Sequence, residues 1–563
     1  MEENGNGNNG NGVLVKASDL FVECLEQEGV EVVFGVPGEE TLDFLESLRK
    51  SKIKFILARD EQAAAFMAAT YGRLTGKAGV VLATLGPGAI NLINGVAFAN
   101  LAGIPLVALT AQNGIRDNIK ENDFQFVDVI EVFRPVTKWN KSISAGKWIP
   151  KSVRTAFKIA EAERPGATHL ELPEDVMAEE VSGASVLHKN SVRRPAPDSL
   201  AIEQAVEMLK NAKRPIIIAA SGGVRKRVDK QLAELVAKTG LYVVHTQMGK
   251  GLLSDSDSHS LFAIGIHKSD YAHCGLHSAD VVMTIGYHIG EYIPRVWNPL
   301  KDKKIIHVDF TESGVDNYYN PDVELVGDIA DSLSVLTKRL GKEKWDLAYF
   351  KRVRSFLEKE LSKNNLDSSF PLKPQRILHD LRQALGKSDI VIHDNGMHKI
   401  WAARHFPVYE PNTFLVDNAL ASMGGGLPSA IAAKILYPQK KVVAVVGDGG
   451  FMMNSQELET AVRLGLNVVV LLWNDNGFGM VRWHQEKSKG HFKVFGVNYN
   501  NPDFVKYAES YGAVGMRVNK ASELAKALET AFKQKKPVVI EVPVDYSENA
   551  KLSEELERLV CPM

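Results

Sequence analysis

Two aspartates carry the most chemistry in this chain. Asp448 lies in Gly447-Asp448-Gly449-Gly450, and Asp475 opens Asp475-Asn476-Gly477 further along. The apolar run Val442 to Val446 precedes the first motif, and a helical pattern from Ser455 to Leu464 follows it. The glycines therefore fall at a strand-to-helix turn, where bare backbone N–H groups and the helix dipole favour an anion. Two carboxylates suit Mg²⁺, which keeps several waters and shares its shell with substrate phosphates. The pair reads as a Mg²⁺–diphosphate cradle with Asp448 and Asp475 as metal ligands. Gly-Asp-Gly alone is a common tight turn, so the reading needs a second acid. Glu61 supplies one, at the start of a helical pattern running to Leu74 and just after the strand-like run Lys54 to Ala58.

Four motifs occur in a telling order: Val33-Phe34-Gly35-Val36-Pro37-Gly38, Arg59-Asp60-Glu61, Gly86-Pro87-Gly88-Ala89-Ile90-Asn91 and Gly447-Asp448-Gly449-Gly450. With them the chain resembles the thiamine-diphosphate enzymes end to end, and within these the acetolactate synthases. Ala64-Ala65-Phe66-Met67-Ala68-Ala69 and Gly76-Lys77-Ala78-Gly79-Val80 are similar to the catabolic, FAD-independent branch. So are Gly286-Tyr287 with Glu291-Tyr292, Pro321 to Ile329, and Val542-Pro543-Val544-Asp545-Tyr546.

The resemblance implies three doubly wound parallel-sheet domains of α/β class that hold thiamine diphosphate and Mg²⁺. It implies decarboxylation of pyruvate and joining of the two-carbon unit to a second pyruvate, giving 2-acetolactate and CO₂. The alternative is a 2-keto-acid decarboxylase, or a carboligase with another donor and acceptor pair. By resemblance Glu61 hydrogen-bonds the aminopyrimidine ring, Pro37 and Gly38 lie beside the cofactor, and Met423 with Gly424 props it in its bent form. Asn395, Gly396, Met397 and His398 match a second diphosphate-binding turn, with His398 as a phosphate donor. Gly447, Asp448, Gly449 and Gly450 form the first turn. Asp475, Gly477, Phe478, Gly479 and Met480 continue the site, with the Gly477 carbonyl as a third metal ligand. Gln112 and Gln125 match loop positions from which an amide reaches an intermediate oxygen, or equally a solvated loop. A homodimer or homotetramer with active sites at the subunit interface is implied too.

Several residues depart from the pattern. Tyr287-His288-Ile289-Gly290-Glu291-Tyr292 stands where FAD-binding relatives place an Arg and paired Asp residues, so FAD is not expected to be required. His484 holds the place of the tryptophan that selects 2-ketobutyrate in biosynthetic relatives, with Trp483 one residue earlier. Asp60 replaces a usual histidine, and Glu39-Glu40 replace a small residue and a lysine. Negative charge facing a pyruvate carboxylate would be unfavourable there.

The elements that must position these groups alternate in type. Strand-like runs (Val30 to Phe34, Lys54 to Ala58, Val80 to Thr84, Leu106 to Thr110) are separated by helical stretches, the mark of a parallel sheet covered by helices. A second such region holds Ile216 to Ala219, Leu241 to Val244, Val281 to Ile285 and Ile305 to Val308. A third holds Ile390 to Ile392, Val442 to Val446, Val468 to Trp473 and Val538 to Val542. The reading gives a disordered tail at 1–13, a pyrimidine-binding domain at 14–185, a central domain at 197–340, a diphosphate-binding domain at 370–546 and a tail at 547–563.

Lys and Arg total 67 against 68 Asp and Glu, so no bulk field draws nucleic acid or an anionic membrane. No apolar run reaches the ~20 residues that span a bilayer. Three cysteines without paired spacing suggest neither zinc nor a disulfide framework, and point to a reducing cytoplasm.

Overall fold

The computed structural model describes residues 14–115, 124–190, 194–265, 273–488 and 490–549. The expected tail at 1–13 lies outside these. The chain divides into two compact units, one made of residues 1–72 and 77–191, the other of 73–76 and 192–563.

The first unit is built on six parallel strands: β1 (Val32–Gly35), β2 (Lys54–Leu57), β3 (Gly79–Ala83), β4 (Leu106–Gln112), β5 (Trp139–Ser142) and β6 (Ala167–Pro173), in the order β2-β1-β3-β4-β6-β5. Strands β3, β4 and β6 are buried along their whole length. That explains their apolar runs, since a parallel sheet is covered on both faces. Two helices of this unit, α1 (Glu61–Thr75) and α2 (Gly86–Ala102), start at the carboxyl edge of the sheet and pack together. Small residues let them approach: a Cβ on Gly95 of α2 would lie 2.4 Å from the Ala65 Cβ of α1.

The second unit holds two more six-stranded parallel sheets. In the central one, β7 (Pro215–Ala219), β8 (Tyr242–His245), β9 (Ser260–Ala263), β10 (Val281–Ile285), β11 (Lys304–Asp309) and β12 (Val323–Val326) run in the order β9-β8-β7-β10-β11-β12. The short helix α3 (Ser221–Lys226) follows β7. In the other, β13 (Ile390–His393), β14 (Phe414–Leu415), β15 (Val442–Gly447), β16 (Val469–Asn474), β17 (Val514–Arg517) and β18 (Val538–Pro543) run β14-β13-β15-β16-β18-β17. This repeats the order of the first sheet, so the outer sheets share one topology and the central sheet has another.

Such sheets bind ligands at the carboxyl ends of strands where the order reverses. In the last sheet that point lies between β13 and β15. Four helices start around it: α4 (Met397–His405), α5 (Gly426–Leu436), α6 (Asp448–Met453) and, after β16, α7 (Gly479–Lys487). Helix α6 begins on Asp448 itself, ahead of the segment where the sequence suggested a helix. Glu548 and Asn549, beyond the last strand, are buried. Cys24 is free and buried.

Candidate functional site

Strand β15 ends in Gly447 and its next residue opens α6, so Asp448 sits at the carboxyl edge of the sheet and is 1% exposed. Its Oδ1 accepts from the Gly449 N–H at 2.9 Å and the Tyr499 hydroxyl at 3.1 Å, and its Oδ2 accepts from the Asn501 amide at 2.7 Å. Asp475 follows β16, the neighbouring strand, and its Oδ2 accepts from Arg482 at 3.1 Å. Burial raises the carboxyl of Asp475 to about 7, with the charge of Asp448 next in effect. Burial raises Asp448 too. Two carboxyls held up by desolvation, Asp475 further by the charge of Asp448, form a site that a cation would relieve. Among the described residues no group of three His, Cys, Asp or Glu side chains could hold a metal. A cation here would take the two aspartates, a backbone carbonyl such as that of Gly477, and groups from outside the protein.

The diphosphate side is built by β13 and α4. Asp394 follows β13, is fully buried, and its carboxylate accepts from the N–H groups of Asn395, Gly424, Gly425 and Gly426. This ties the turn Asn395-Gly396-Met397 to the loop that carries Met423. Gly424 is held at φ +88°, a left-handed conformation that costs a side chain. The Asn454 amide donates to its carbonyl at 2.8 Å. Met423 stays partly exposed while Gly424 is buried, so the side chain that the sequence suggested as a prop lies next to a fixed hinge. His398, on the first turn of α4, is 1% exposed. Among the described residues neither ring nitrogen has a hydrogen-bond partner, and burial lowers its pKa to about 3. It faces the backbone of Gly447: a Cβ there would lie 3.6 Å from His398 Cδ2. A buried imidazole with both nitrogens unpaired, beside three helix starts, fits an anionic diphosphate and Mg²⁺.

The first unit gathers a second set. Glu61 opens α1, is 9% exposed, and its Oε2 accepts from the Asn91 amide of α2 at 3.1 Å. Its Oε1 lies against Gly88, where a Cβ would approach it to 3.1 Å. The Pro37-Gly38 loop closes on the end of β3, with the Cβ position of Gly38 only 2.2 Å from Thr84 Oγ1. Gln125, at φ +57°, brings its carbonyl against Gly86, so its backbone is at the site and its side chain is exposed.

Gln112 behaves otherwise than the sequence suggested. It is 1% exposed, donates to the Val127 carbonyl and the Glu171 carboxylate at 3.1 Å each, and accepts from the Asn113 N–H. Its amide is spent on the unit's own core. Of the three acids that depart from the pattern, Glu39 is exposed and the other two are engaged by the chain itself. Asp60 caps α1, its Oδ1 accepting from the Gln62 N–H at 2.8 Å, and Glu40 accepts from the Thr84 hydroxyl at 2.5 Å. Sequence reasoning missed Asp394, Asn91, Tyr499, Asn501 and Arg482. Each is an ordinary polar residue until its partner is known.

Comparison with known proteins decides the family. Residues 15–132, 202–336 and 394–542 match, in turn, the N-terminal TPP binding domain, the central domain and the C-terminal TPP binding domain of thiamine pyrophosphate enzymes. The chain belongs to the acetolactate synthase family of thiamine pyrophosphate enzymes. It is 38% identical to an acetolactate synthase of Bacillus subtilis (strain 168), over 96% of this chain and 95% of that one. It is 35% identical to a catabolic acetolactate synthase of Raoultella terrigena, over 96% and 97%. It is 31% identical to an acetolactate synthase large subunit of Haemophilus influenzae, over 95% of each.

The central sheet carries a further buried carboxylate. Glu291 is 5% exposed and meets the loop after β7: its carboxylate accepts from the Ser221 N–H at 3.1 Å, from the Ser221 hydroxyl, and from the Thr246 hydroxyl at 2.9 Å. Tyr287, Tyr319 and Trp297 pack beside one another on the same sheet, with ring centroids 5.2 to 6.2 Å apart. The strand order reverses between β7 and β10, where such a sheet receives a nucleotide. Here Glu291 bonds Ser221 after β7 and Thr246 after β8.

Proposed function

We propose that this enzyme decarboxylates pyruvate and joins the resulting two-carbon unit to a second pyruvate, releasing 2-acetolactate and CO₂. The observation that carries the reading is that a buried Glu61, held by Asn91, a buried Asp448 and a largely buried Asp475 occur in one chain related over nearly its whole length to acetolactate synthases. Thiamine diphosphate, when bound, supplies a carbon nucleophile and an electron sink. Asp448, Asp475 and the Gly477 carbonyl hold Mg²⁺. His398 and the N–H groups of Asn395, Gly396, Gly449 and Gly450 bind the diphosphate. Met423 and Gly424 support the ring system, with Pro37, Gly38, Phe478, Gly479 and Met480 around it. Glu61 holds and moves a proton at the pyrimidine nitrogen. The carbonyl of Gln125 borders the substrate side, and Gln112 keeps that loop in place.

FAD is not needed in this reading, and the bonds that tie Glu291 to Ser221 and Thr246 at the strand ends of the central sheet support it. Helix α2 has no charged residue, and Ile90 and Leu101 on it are each 47% exposed. An uncharged helix with bare aliphatic side chains supports burial against a second copy, and hence a homodimer or homotetramer with shared active sites. No helix among the described residues is long and apolar enough to cross a membrane.

The test is incubation of purified protein with thiamine diphosphate, Mg²⁺ and pyruvate, without FAD, assaying acetolactate and acetaldehyde beside a Glu61→Gln variant. Acetolactate that collapses in the variant is the expected result. Acetaldehyde as the sole product would replace this reading with a simple decarboxylase.

A further inference from the structure

Arg482 lies on the second turn of α7 and reaches back over the loop from Asp475 to Gly477. Its Nη1 donates to Asp475 Oδ2 at 3.1 Å and to the Asp475 carbonyl at 3.3 Å. Its Nη2 donates to the Asn476 carbonyl at 3.3 Å and to Asn498 Oδ1 at 2.8 Å. One guanidinium thus spans both sides of a small bridge, since Gly477 pairs with Asn498 and the Phe478 N–H donates to the Val497 carbonyl at 2.8 Å. The fit is close: a Cβ on Gly477 would lie 2.0 Å from Arg482 Nη2. The Arg482 side chain is 23% exposed and that of Asp475 is 11% exposed, so solvent screens the pair only in part.

We propose that Arg482 is a positioning residue for the metal, a clamp that fixes the 475–477 loop so that Asp475 and the Gly477 carbonyl face Asp448. The inference rests on the reading that these three groups hold Mg²⁺. Two effects compete here. A cation beside a metal ligand opposes metal binding through charge, whereas a planar fork bonded to four acceptors removes loop freedom that binding would otherwise have to remove. The geometry decides for the fork. Of the Asp475 carboxylate Arg482 bonds Oδ2 alone, which leaves Oδ1 for the metal. Outer partners of metal ligands act in this way, and their loss weakens metal binding by about 10- to 100-fold. The same segment supports the other ligand, because Tyr499 and Asn501 donate to Asp448 and Asn501 also donates to Asn474 at 3.0 Å.

The experiment is a Mg²⁺ titration of the metal-free full-length protein in the presence of thiamine diphosphate, read by quenching of tryptophan fluorescence and repeated by calorimetry. Arg482→Ala should weaken Mg²⁺ at least about tenfold, and millimolar methylguanidinium should restore much of the affinity. A defect of folding alone would not be rescued in this way. Arg482→Lys should remain weak, because a point charge cannot span the four acceptors. Asn498→Ala should weaken binding in the same direction by a smaller factor, and the double variant should be no weaker than Arg482→Ala. Should Arg482→Ala fail to fold, Asn498→Ala carries the test. Unchanged or tighter binding in Arg482→Ala would overturn the clamp, as would unchanged binding in Asn498→Ala. Asp448→Asn is the control: if it binds Mg²⁺ as the parent does, the metal reading itself falls, whatever the Arg482 variants do.

Discussion

Both carboxylate oxygens of Asp394 accept the backbone N–H of Gly424 at 3.0 Å. Residues thirty apart in sequence are thereby joined at the bottom of the candidate diphosphate site. Burial pushes the Asp394 carboxyl up to about 6 even with the N–H groups of Asn395, Gly424, Gly425 and Gly426 converging on it. Asp394→Ala removes an acceptor from several buried donors at once, each costing about 1–3 kcal/mol when left unpaired. The expected outcome is a lower melting temperature without cofactor, and thiamine diphosphate bound at least about tenfold more weakly in an equilibrium titration. Parent-like binding would show that the Met423 loop is held by other contacts.

Asp60 is the acid whose place before Glu61 looked unfavourable for an anionic substrate. Its Oδ1 instead accepts from the N–H groups of Gln62 and Ala63, at 2.8 and 3.4 Å. An oxygen committed to a helix start stabilises α1 by about 1 kcal/mol. Asp60→Ala should cost that much in a denaturant titration and change the KM for pyruvate less than about twofold, because a carboxylate bound to backbone is not presented to substrate. A large drop in KM would mean that its charge does reach the pocket.

The fold was legible where the physics is local. Twelve strand-like runs in the sequence each fall on an observed strand, and all but the edge Lys54–Leu57 are interior to a parallel sheet, where strands buried on both faces read as apolar stretches. The strands without such a signal are mostly edges. Trp139–Ser142 and Val514–Arg517 have one unpaired side, are only half-buried and carry polar residues. Ala167–Pro173 was hidden for a different reason. It is central and buried, yet contains Thr168, His169 and Glu171, whose polar groups are met by the Ala156 carbonyl, Thr110 and Gln112. The candidate site divides in the same way. Glycine turns and the two aspartates announce themselves by type and spacing. Asp394, Tyr499, Asn501 and Arg482 acquire meaning only through partners that the fold brings to them.

His169 in β6 makes the first unit acid-sensitive. It is fully buried, its Nε2 is 2.8 Å from the Thr110 hydroxyl, and its ring stacks on Phe133 with centroids 4.0 Å apart. Burial lowers its pKa to about 3, so the folded unit holds it neutral. The unfolded chain takes up a proton near its ordinary value of about 6.5. A lowered folded pKa means that the stability it confers is present above about pH 6.5 and is lost as pH falls toward 3. One such histidine accounts for about 2 kcal/mol between pH 6.5 and 5. His169→Gln should be less stable than the parent at pH 7 but lose less on acidification, as read from urea midpoints at the two pH values. Parallel pH profiles for the two proteins would rule out this histidine as a source of acid sensitivity.

Trp483 and His484 compete for the role of acceptor selection, and their surroundings separate them. The Trp483 indole N–H donates to the Asn549 carbonyl at 3.1 Å and the ring is 7% exposed, whereas His484 is exposed. Asn549 in turn accepts the Trp401 indole N–H on its side chain at 2.8 Å. The two tryptophans therefore anchor residues near the end of the described chain to α4 and α7, and the Trp483 indole N–H is committed to that contact. Trp483→Phe should lose about 1 kcal/mol for the missing hydrogen bond. With pyruvate and 2-ketobutyrate present together, its product ratio should stay within about twofold of the parent, since only a contact made with the acceptor changes that ratio. His484→Trp should instead shift the ratio toward 2-ketobutyrate, because it places an aromatic face where the biosynthetic relatives carry one. A Trp483→Phe variant that alone changes the ratio tenfold would put the indole in the acceptor site and reverse the assignment.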